Sequence, residues 1–258
     1  MKFLKTILFL FALFATVCNA SNQKASESEA QKAGKWVVFI GCAGCGKGTQ
    51  AELLSSENGF IVIGMGDLLR KNKDMVATPD GKTLGDIMKT GVLVPNSITV
   101  DLVTKRLEEI EDVANKNVLF EGWPRVLEQA KNFDLILKKL GRKIDVVFNF
   151  AIGDENIAIK RILGRYSCKK CGKIYNEFFL NPTKEGVCDV CKGTEFNKRS
   201  DDNRESVKNR LSIFNKETRP IIKYYKKAGV LCNVKADANI GEVRSSILKC
   251  LDLKEENK

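Results

Sequence analysis

GCAGCGKGTQ, residues 41–50, sets two cysteines inside a run of glycines that closes on a lysine. Two chemistries compete for it. Cys42-Ala43-Gly44-Cys45 has the spacing of a redox dithiol, which also sits at a helix N-terminus, where the thiol pKa is lowered. A phosphate-holding loop needs a strand, a glycine-rich turn and a helix, in that order. Turn N–H groups and the helix N-terminus then meet anionic oxygens, and a lysine adds a full charge. The flanks favour phosphate. KWVVFIG (35–41) is a short apolar, β-branched run and reads as a buried parallel strand. GTQAELLSSE (48–57) follows with Ala51, Leu53 and Leu54 at helical spacing. Gly41, Gly44, Gly46 and Lys47 lie between them and are surplus to dithiol chemistry. On this reading the two cysteines are small fillers, with Cys45 an oxidation liability.

Outward from the loop, strands and helices alternate. FIVIG (60–64), NVLFEG (117–122), DVVFNFAI (145–152) and GVLCNV (229–234) read as further strands. Helices are expected near 67–72, 83–90, 126–140, 154–165 and 240–253. A longer one is capped by Asn96 or Ser97, with Ile98, Leu102, Val103, Leu107 and Ile110 on one face. The pattern predicts an α/β fold, a parallel five-stranded sheet with helices on both faces. Residues 166–200 break the rhythm. They show no periodicity but carry four cysteines, and read as an insertion.

Composition limits the chemistry. The 258 residues include 43 Lys and Arg against 32 Asp and Glu, a net charge of +11, and no histidine. Every histidine-based mechanism and metal ligand is excluded. Phosphoryl transfer fits the remaining side chains, because it rests on positioning and electrostatics. The basic residues are scattered, which suits a solvated surface better than a nucleic-acid footprint. At the N-terminus, MKFLKTILFLFALFATVCNA (1–20) has Lys2 and Lys5, an apolar stretch and a small-x-small end. It reads as a signal peptide, with a membrane anchor as the rival. Residues 21–35 read as a flexible polar leader.

With further motifs added, the chain resembles the adenylate kinases that carry a zinc-bearing lid. The resemblance runs from about Trp36 to Leu253. It is carried by GCAGCGKGTQAE (41–52), GMGDLLR (64–70), GVLVPNSI (91–98), FEGWPRVLEQA (120–130), RILGRYSCKKCGKIYN (161–176), CDVC (188–191), RSDDN (199–203) and VKNRL (207–211). The loop's Lys47-Gly48-Thr49 ending, in place of the usual GK[ST], agrees with that family. The resemblance implies a kinase domain over 36–258, with a monophosphate-binding helical insertion over about 64–95 and a lid over about 165–202. It implies ATP + AMP ⇌ 2 ADP with Mg²⁺. Lys47, Arg125, Arg165, Arg199 and Arg210 would surround the transferred phosphoryl group. Gly44, Cys45, Gly46, Lys47, Gly48, Thr49, Arg161 and Arg165 would hold ATP, with Arg161 stacked on its adenine. Met65, Arg70, Val92, Val94, Gly122, Arg125, Gln129, Arg199 and Arg210 would line the AMP site, with Gln129 reading the base. Asp67 and Glu121 would steady the water shell of the metal. Two positions depart from the family. Met65 replaces a small hydroxyl residue, and Glu121 replaces the aspartate of DGFPR, reaching one methylene further.

Cys168-x-x-Cys171 and Cys188-x-x-Cys191 are two pairs separated by sixteen residues. Each can grip one metal ion, and Gly172 permits the turn after the first. This is a structural Zn²⁺ signature with no open coordination position. Disulfides and an iron–sulfur cluster are the alternatives. Asp201 and Asp202 are expected to anchor the closed lid, Lys47 to lie on a solvent-facing loop, and Cys232 and Cys250 to be buried fillers. Rival functions are a GTP:AMP or pyrimidine nucleoside monophosphate kinase, a zinc-ribbon nucleic-acid-binding ATPase and a thiol oxidoreductase. The partners expected are ATP, AMP and ADP, with no nucleic acid, no lasting membrane insertion, and a monomeric chain. The signal peptide points to the secretory pathway and onward to an ATP-containing organelle, with the cytoplasm as the alternative.

Overall fold

Strand β1 (Trp36–Gly41) lies at the centre of the sheet because every second residue on either side of it is apolar. Trp36, Val38 and Ile40 face one core; Val37 and Phe39 face the other, and all five are buried. Such a strand needs cover on both faces, and parallel pairing with crossover helices supplies it. β1 pairs in parallel with β3 (Val118–Glu121) and β4 (Val146–Ala151), Trp36 lying opposite Val118 and Val37 opposite Val146. β2 (Ile61–Gly64) adds beside β3, and β8 (Leu231–Lys235) beside β4. The order is β2-β3-β1-β4-β8. The expected parallel five-stranded sheet is therefore present. The computed structural model describes residues 34–254; the expected signal peptide and almost all of the expected leader fall outside them.

One face is covered by α4 (Asn96–Glu108) and α5 (Leu127–Lys139) through Leu102, Val103, Phe133 and Leu137. The other is covered by α1 (Lys47–Asn58), α6 (Glu155–Leu163) and α9 (Ile240–Cys250) through Leu54, Ile162, Ile247 and Leu248. Two short helices, α2 (Met65–Lys71) and α3 (Leu84–Thr90), follow β2. Thr83 and Asp86 close a reciprocal capping box at the start of α3. Neither Asn96 nor Ser97 caps α4. Pro95 holds that position, and the Asn96 amide is spent on Glu128 and Gln129 of α5.

The periodicity above places nothing between Ser200 and Gly229, yet two helices lie there. α7 (Arg204–Ile213) and α8 (Arg219–Lys227) are joined by a π-helical turn, Phe214–Thr218. α7 buries Val207 and Leu211 on one face of the sheet; α8 buries Ile221 and Tyr225 on the other.

The insertion is a small antiparallel sheet of β5 (Arg165–Cys168), β6 (Ile174–Asn176) and β7 (Phe196–Asn197), in the order β6-β5-β7. Its interior holds little more than Cys168, Tyr175 and Cys188, with Tyr166, Leu180 and Phe196 against them. Cys232 and Cys250 are not fillers. They form a disulfide between β8 and α9, both half-buried. The strand and the helix after it pack side by side, which brings the two sulfurs together.

Candidate active site

The strand–loop–helix unit forms as its glycines require. Gly44 and Gly46 have φ of 79° and 92°, a region that favours glycine. Gly44 also packs so closely on the Ala158 carbonyl that a Cβ would lie 2.4 Å from its oxygen. Gly46 is the N-cap of α1, so the first N–H groups of that helix open towards the loop. Gln50 ties the helix to the opposite rim by donating to the Ile240 carbonyl at 2.9 Å.

Lys47 is not solvent-facing: it is the first residue of α1 and is buried. Its Nζ donates to the carbonyls of Gly41 at 2.9 Å and Cys42 at 2.8 Å, and lies 3.4 Å from Cys45 Sγ. The helix start turns the side chain back under the loop, where those carbonyls hold it.

A cavity of about 1200 Å³ opens from this loop. Lys47, Arg70, Arg125, Arg165, Arg199 and Arg210 all line it, although they come from six separate elements and loops. Burial and the like charges of Arg165 and Arg70 lower Arg199 to about 10. Burial also lowers Arg125; Glu121 opposes this, while Arg210 and Arg70 add repulsion. Such a cluster is built to receive negative charge.

Two aspartates hold the cluster together. Asp202 accepts from Arg165 Nε at 2.8 Å and from Nη2 at 2.5 Å; Asp201 accepts from Arg210. Both carboxylates are almost wholly buried. Asp202 raises Arg165 against the effect of burial, and Arg210 keeps Asp201 below the ordinary carboxylate range, again against burial.

On the far side of the cavity, Arg125 Nε donates to the Gly122 carbonyl at 2.7 Å, and its N–H donates to Gln129 Oε1 at 2.7 Å. Gln129 Nε2 donates to Asn96 Oδ1 at 2.8 Å and to Thr99 Oγ1 at 3.2 Å. The amide is thus fixed in orientation and keeps one lone pair on Oε1. Arg70 is paired with Asp67 at 2.6 Å. Asp67 and Glu121 both border Gly64, where a Cβ would lie 3.1 Å from Asp67 Oδ2 and 3.9 Å from Glu121 Oε2. Two carboxylates converging beside the phosphate loop suit a hydrated Mg²⁺. Met65 is buried in the core and also lines the cavity; Val92 is exposed and Val94 buried. Gly48 and Thr49 line the cavity at the start of α1. Arg161 lines the opposite end, donating to the Ala236 carbonyl at 2.9 Å with its guanidinium 5.6 Å above the Phe179 ring.

The structure gives site roles that the sequence reading did not assign, to Asn96 within GVLVPNSI and to Thr99, Phe179 and Thr218 outside the quoted motifs. Thr218, buried in the π-helical turn, donates its hydroxyl to the Arg125 carbonyl at 2.9 Å. Asn96 and Thr99 position Gln129. Phe179 joins Arg161 at the cavity edge. The spacing of a π-helical turn leaves no mark in the sequence, so Thr218 carried no signal; the adjacent aromatics Phe178 and Phe179 did.

In the lid, Cys168, Cys171, Cys188 and Cys191 bring their sulfurs within 4.8 Å of one another. Two of the separations are 3.5 and 3.6 Å. A tetrahedron with Zn–S bonds of about 2.3 Å needs sulfurs about 3.8 Å apart, so the four residues fit the ion. Each knuckle closes with the same hydrogen bond. Gly172 N–H and Lys192 N–H donate to Cys168 and Cys188 carbonyls, both at 2.9 Å.

Known proteins agree with this geometry. The adenylate kinase family model matches residues 39–230. The adenylate kinase of Caldicellulosiruptor bescii is 41% identical over 217 residues, covering 84% of this chain and 99% of its own. That of Caldicellulosiruptor saccharolyticus is 39% identical over 215 residues, covering 83% and 98%. That of Rickettsia conorii is 40% identical over 217 residues, covering 84% and 99%. With relatives matched almost end to end and the phosphate loop, arginine cluster and four-cysteine lid all in place, this chain belongs to the adenylate kinase family and is a phosphotransferase.

Proposed function

We propose that the cavity holds ATP and AMP end to end, and that Lys47, Arg125, Arg165, Arg199 and Arg210 meet at the phosphoryl group passing between them, with Arg70 on the acceptor phosphate. The observation that carries this is their convergence on one cavity from both sides. Single-ligand pockets run to about 300–1,000 Å³, so about 1200 Å³ suits two nucleotides. The reaction is ATP + AMP ⇌ 2 ADP, the activity for which the family is named; nothing here favours another nucleotide pair or a nucleic acid.

The residues divide the work as their positions suggest. Gly44 to Thr49 hold the donor phosphates with backbone N–H groups, and Lys47 meets the transferred group. Arg161 and Phe179 flank the donor base. Arg70 and Arg125 take the acceptor phosphate, and backbone groups at Val92 and Val94 border its nucleoside. Gln129 has spent both Nε2 hydrogens, so the free lone pair on Oε1 accepts from the exocyclic amine of adenine. Guanine offers an acceptor there and would be repelled. Magnesium bound with ATP would neutralise phosphate charge, its water shell steadied by Asp67 and Glu121. Planar arginines suit the equatorial oxygens of the transition state, and a lid that excludes water favours transfer over hydrolysis.

The lid cysteines are proposed to hold one Zn²⁺ as a structural staple, supported by their spacing and by an interior too small to fold on apolar burial. Entry to the secretory pathway is proposed from the apolar segment after Lys2 and Lys5, and the Cys232–Cys250 disulfide is in keeping with an oxidising compartment. The chain is proposed to work as a monomer.

Lys47→Ala tests the core of this reading. Loss of a transition-state cation costs about 3 kcal/mol or more, so turnover should fall below a tenth of wild type while the melting temperature shows the fold intact. Retention of more than that would remove Lys47 from the reaction.

A further inference from the structure

Phosphate binding leaves the two loop thiols unexplained, because backbone N–H groups and Lys47 hold the anion. Cys42 and Cys45 are also the two free cysteines outside the lid among the described residues. They close one tight turn, in which the Cys45 N–H faces the Cys42 carbonyl at 3.4 Å. Cys45 lines the cavity, at the N-terminal end of a twelve-residue helix, with the Lys47 ammonium 3.4 Å from its sulfur. Gly41 leaves that sulfur no slack: a Cβ on Gly41 would lie 2.6 Å from it.

The two thiols are placed unequally. Burial opposes ionisation of Cys45, but hydrogen bonding from Cys42 and the charge of Lys47 outweigh it and lower the thiol. Cys42 is pushed up by its hydrogen bond to Cys45 and by burial. Cys45 lines the cavity and has the Lys47 ammonium beside its sulfur, whereas Cys42 is not part of the cavity lining, so Cys45 is placed to attack and Cys42 behind it to resolve.

We propose that Cys42 and Cys45 form a reversible oxidation site for hydroperoxides within the phosphate loop, whose closure as a disulfide removes nucleotide binding. The Cys45 thiolate attacks one oxygen of the peroxide, the O–O bond breaks, and the departing oxygen takes a proton from water to leave as an alcohol or water. Cys45 is then a sulfenic acid. The Cys42 sulfur displaces its oxygen, which departs as water with the Cys42 proton, and the S–S bond forms. Two electrons have passed from the sulfurs to the peroxide. A dithiol reverses the closure by exchange, leaving its own disulfide. Closure draws the Cys45 sulfur away from Lys47 and ties down the turn whose N–H groups must face phosphate. Cys42 and Cys45 are only 3% and 1% exposed, so a peroxide must reach Cys45 through the cavity that it lines, and a nucleotide filling that cavity should protect it. Only this functional consequence rests on the nucleotide reading above; the thiol chemistry does not.

The test treats the full-length, zinc-loaded chain with hydrogen peroxide and follows the tryptic peptide Trp36–Lys47 by mass. The expected result is a peptide lighter by two hydrogens, restored by dithiothreitol, while the lid cysteines stay reduced. ATP binding, read by calorimetry, should vanish and return with it. In Cys42→Ser, dimedone should mark Cys45; in Cys45→Ser, it should leave Cys42 unmarked. MgADP at about ten times its Kd should slow the oxidation about ten-fold. Free thiols at both positions after the lid has oxidised would overturn the proposal, as would equal dimedone labelling of the two variants. A disulfide that leaves ATP binding intact would overturn its regulatory half. Failure of the reduced protein to bind ATP would instead overturn the nucleotide reading, and the mass result would stand apart from it.

Discussion

Arg165 and Asp202 meet through two charge-assisted hydrogen bonds, 2.8 Å from Nε and 2.5 Å from Nη2, where the lid joins the sheet domain. Such a pair fixes the plane of the guanidinium before any nucleotide arrives. Asp202→Asn keeps the size and loses the charge. Its kcat should fall at least about ten-fold, a loss of about 1.4 kcal/mol in the barrier, with little change in ATP affinity. An unchanged kcat would show that Arg165 needs no support.

The neighbouring pair predicts a pH dependence. Arg210 holds Asp201 below its unfolded value, despite burial. For a depressed carboxylate, the stabilisation is fully present above the unfolded pKa of about 3.9 and is lost as pH falls through the folded value. Asp201→Asn should therefore melt below wild type at pH 7, and the gap should close below about pH 4. Thermal melts across that range decide it; a constant gap would contradict the assignment.

Thr218 borders the cavity and its hydroxyl holds the Arg125 carbonyl. Thr218→Val removes the 2.9 Å hydrogen bond to the Arg125 carbonyl, and Thr218→Ser retains it. Valine should raise KM for AMP several-fold, leave KM for ATP unchanged and cost about 1 kcal/mol of stability; serine should restore both. Equal effects of valine on the two nucleotides would assign Thr218 to the fold alone.

The sheet, its central strand and the phosphate loop were legible because local patterns carry them: two-sided apolar strands, glycines in the turn, a helical stripe after Lys47. Both CxxC knuckles were legible for the same reason. α7 and α8 were not, since Val207, Leu211, Ile221 and Tyr225 form a thin stripe in a charged stretch and point to opposite faces of the sheet. The Cys232–Cys250 disulfide was also hidden, because only the packing of α9 on β8 brings its halves together. Met65 and Glu121 looked like departures at the reaction centre. In the structure Met65 fills the core, and Glu121 still comes near Asp67 around Gly64.

That disulfide closes a loop with a sequence separation of 18. The loop-entropy account gives it about 3 kcal/mol of stabilisation. Cys232→Ser with Cys250→Ser should lower the denaturant midpoint accordingly and leave kcat intact, since neither residue lines the cavity. A change in kcat with no loss of stability would reverse that assignment.

Zinc removal should separate stability from chemistry. Chelation, or Cys188→Ala, should lower the melting temperature, while activity at low temperature falls less, because Lys47, Arg125 and Arg210 lie outside the ribbon. Elemental analysis of the untreated protein should find about one zinc per chain; fewer than about 0.5 equivalents, or disulfides in place of thiolates, would contradict the closed site.

The central claim is transfer from ATP to AMP within one cavity. Its most direct measurement is ADP formation from MgATP with AMP, GMP, CMP and UMP supplied in turn, alongside Gln129→Ala. AMP should be the preferred acceptor by a wide margin, with little hydrolysis when no acceptor is present. Gln129→Ala should weaken AMP use far more than ATP use. ATP hydrolysis that does not depend on AMP, or GMP as the better acceptor, would contradict the account.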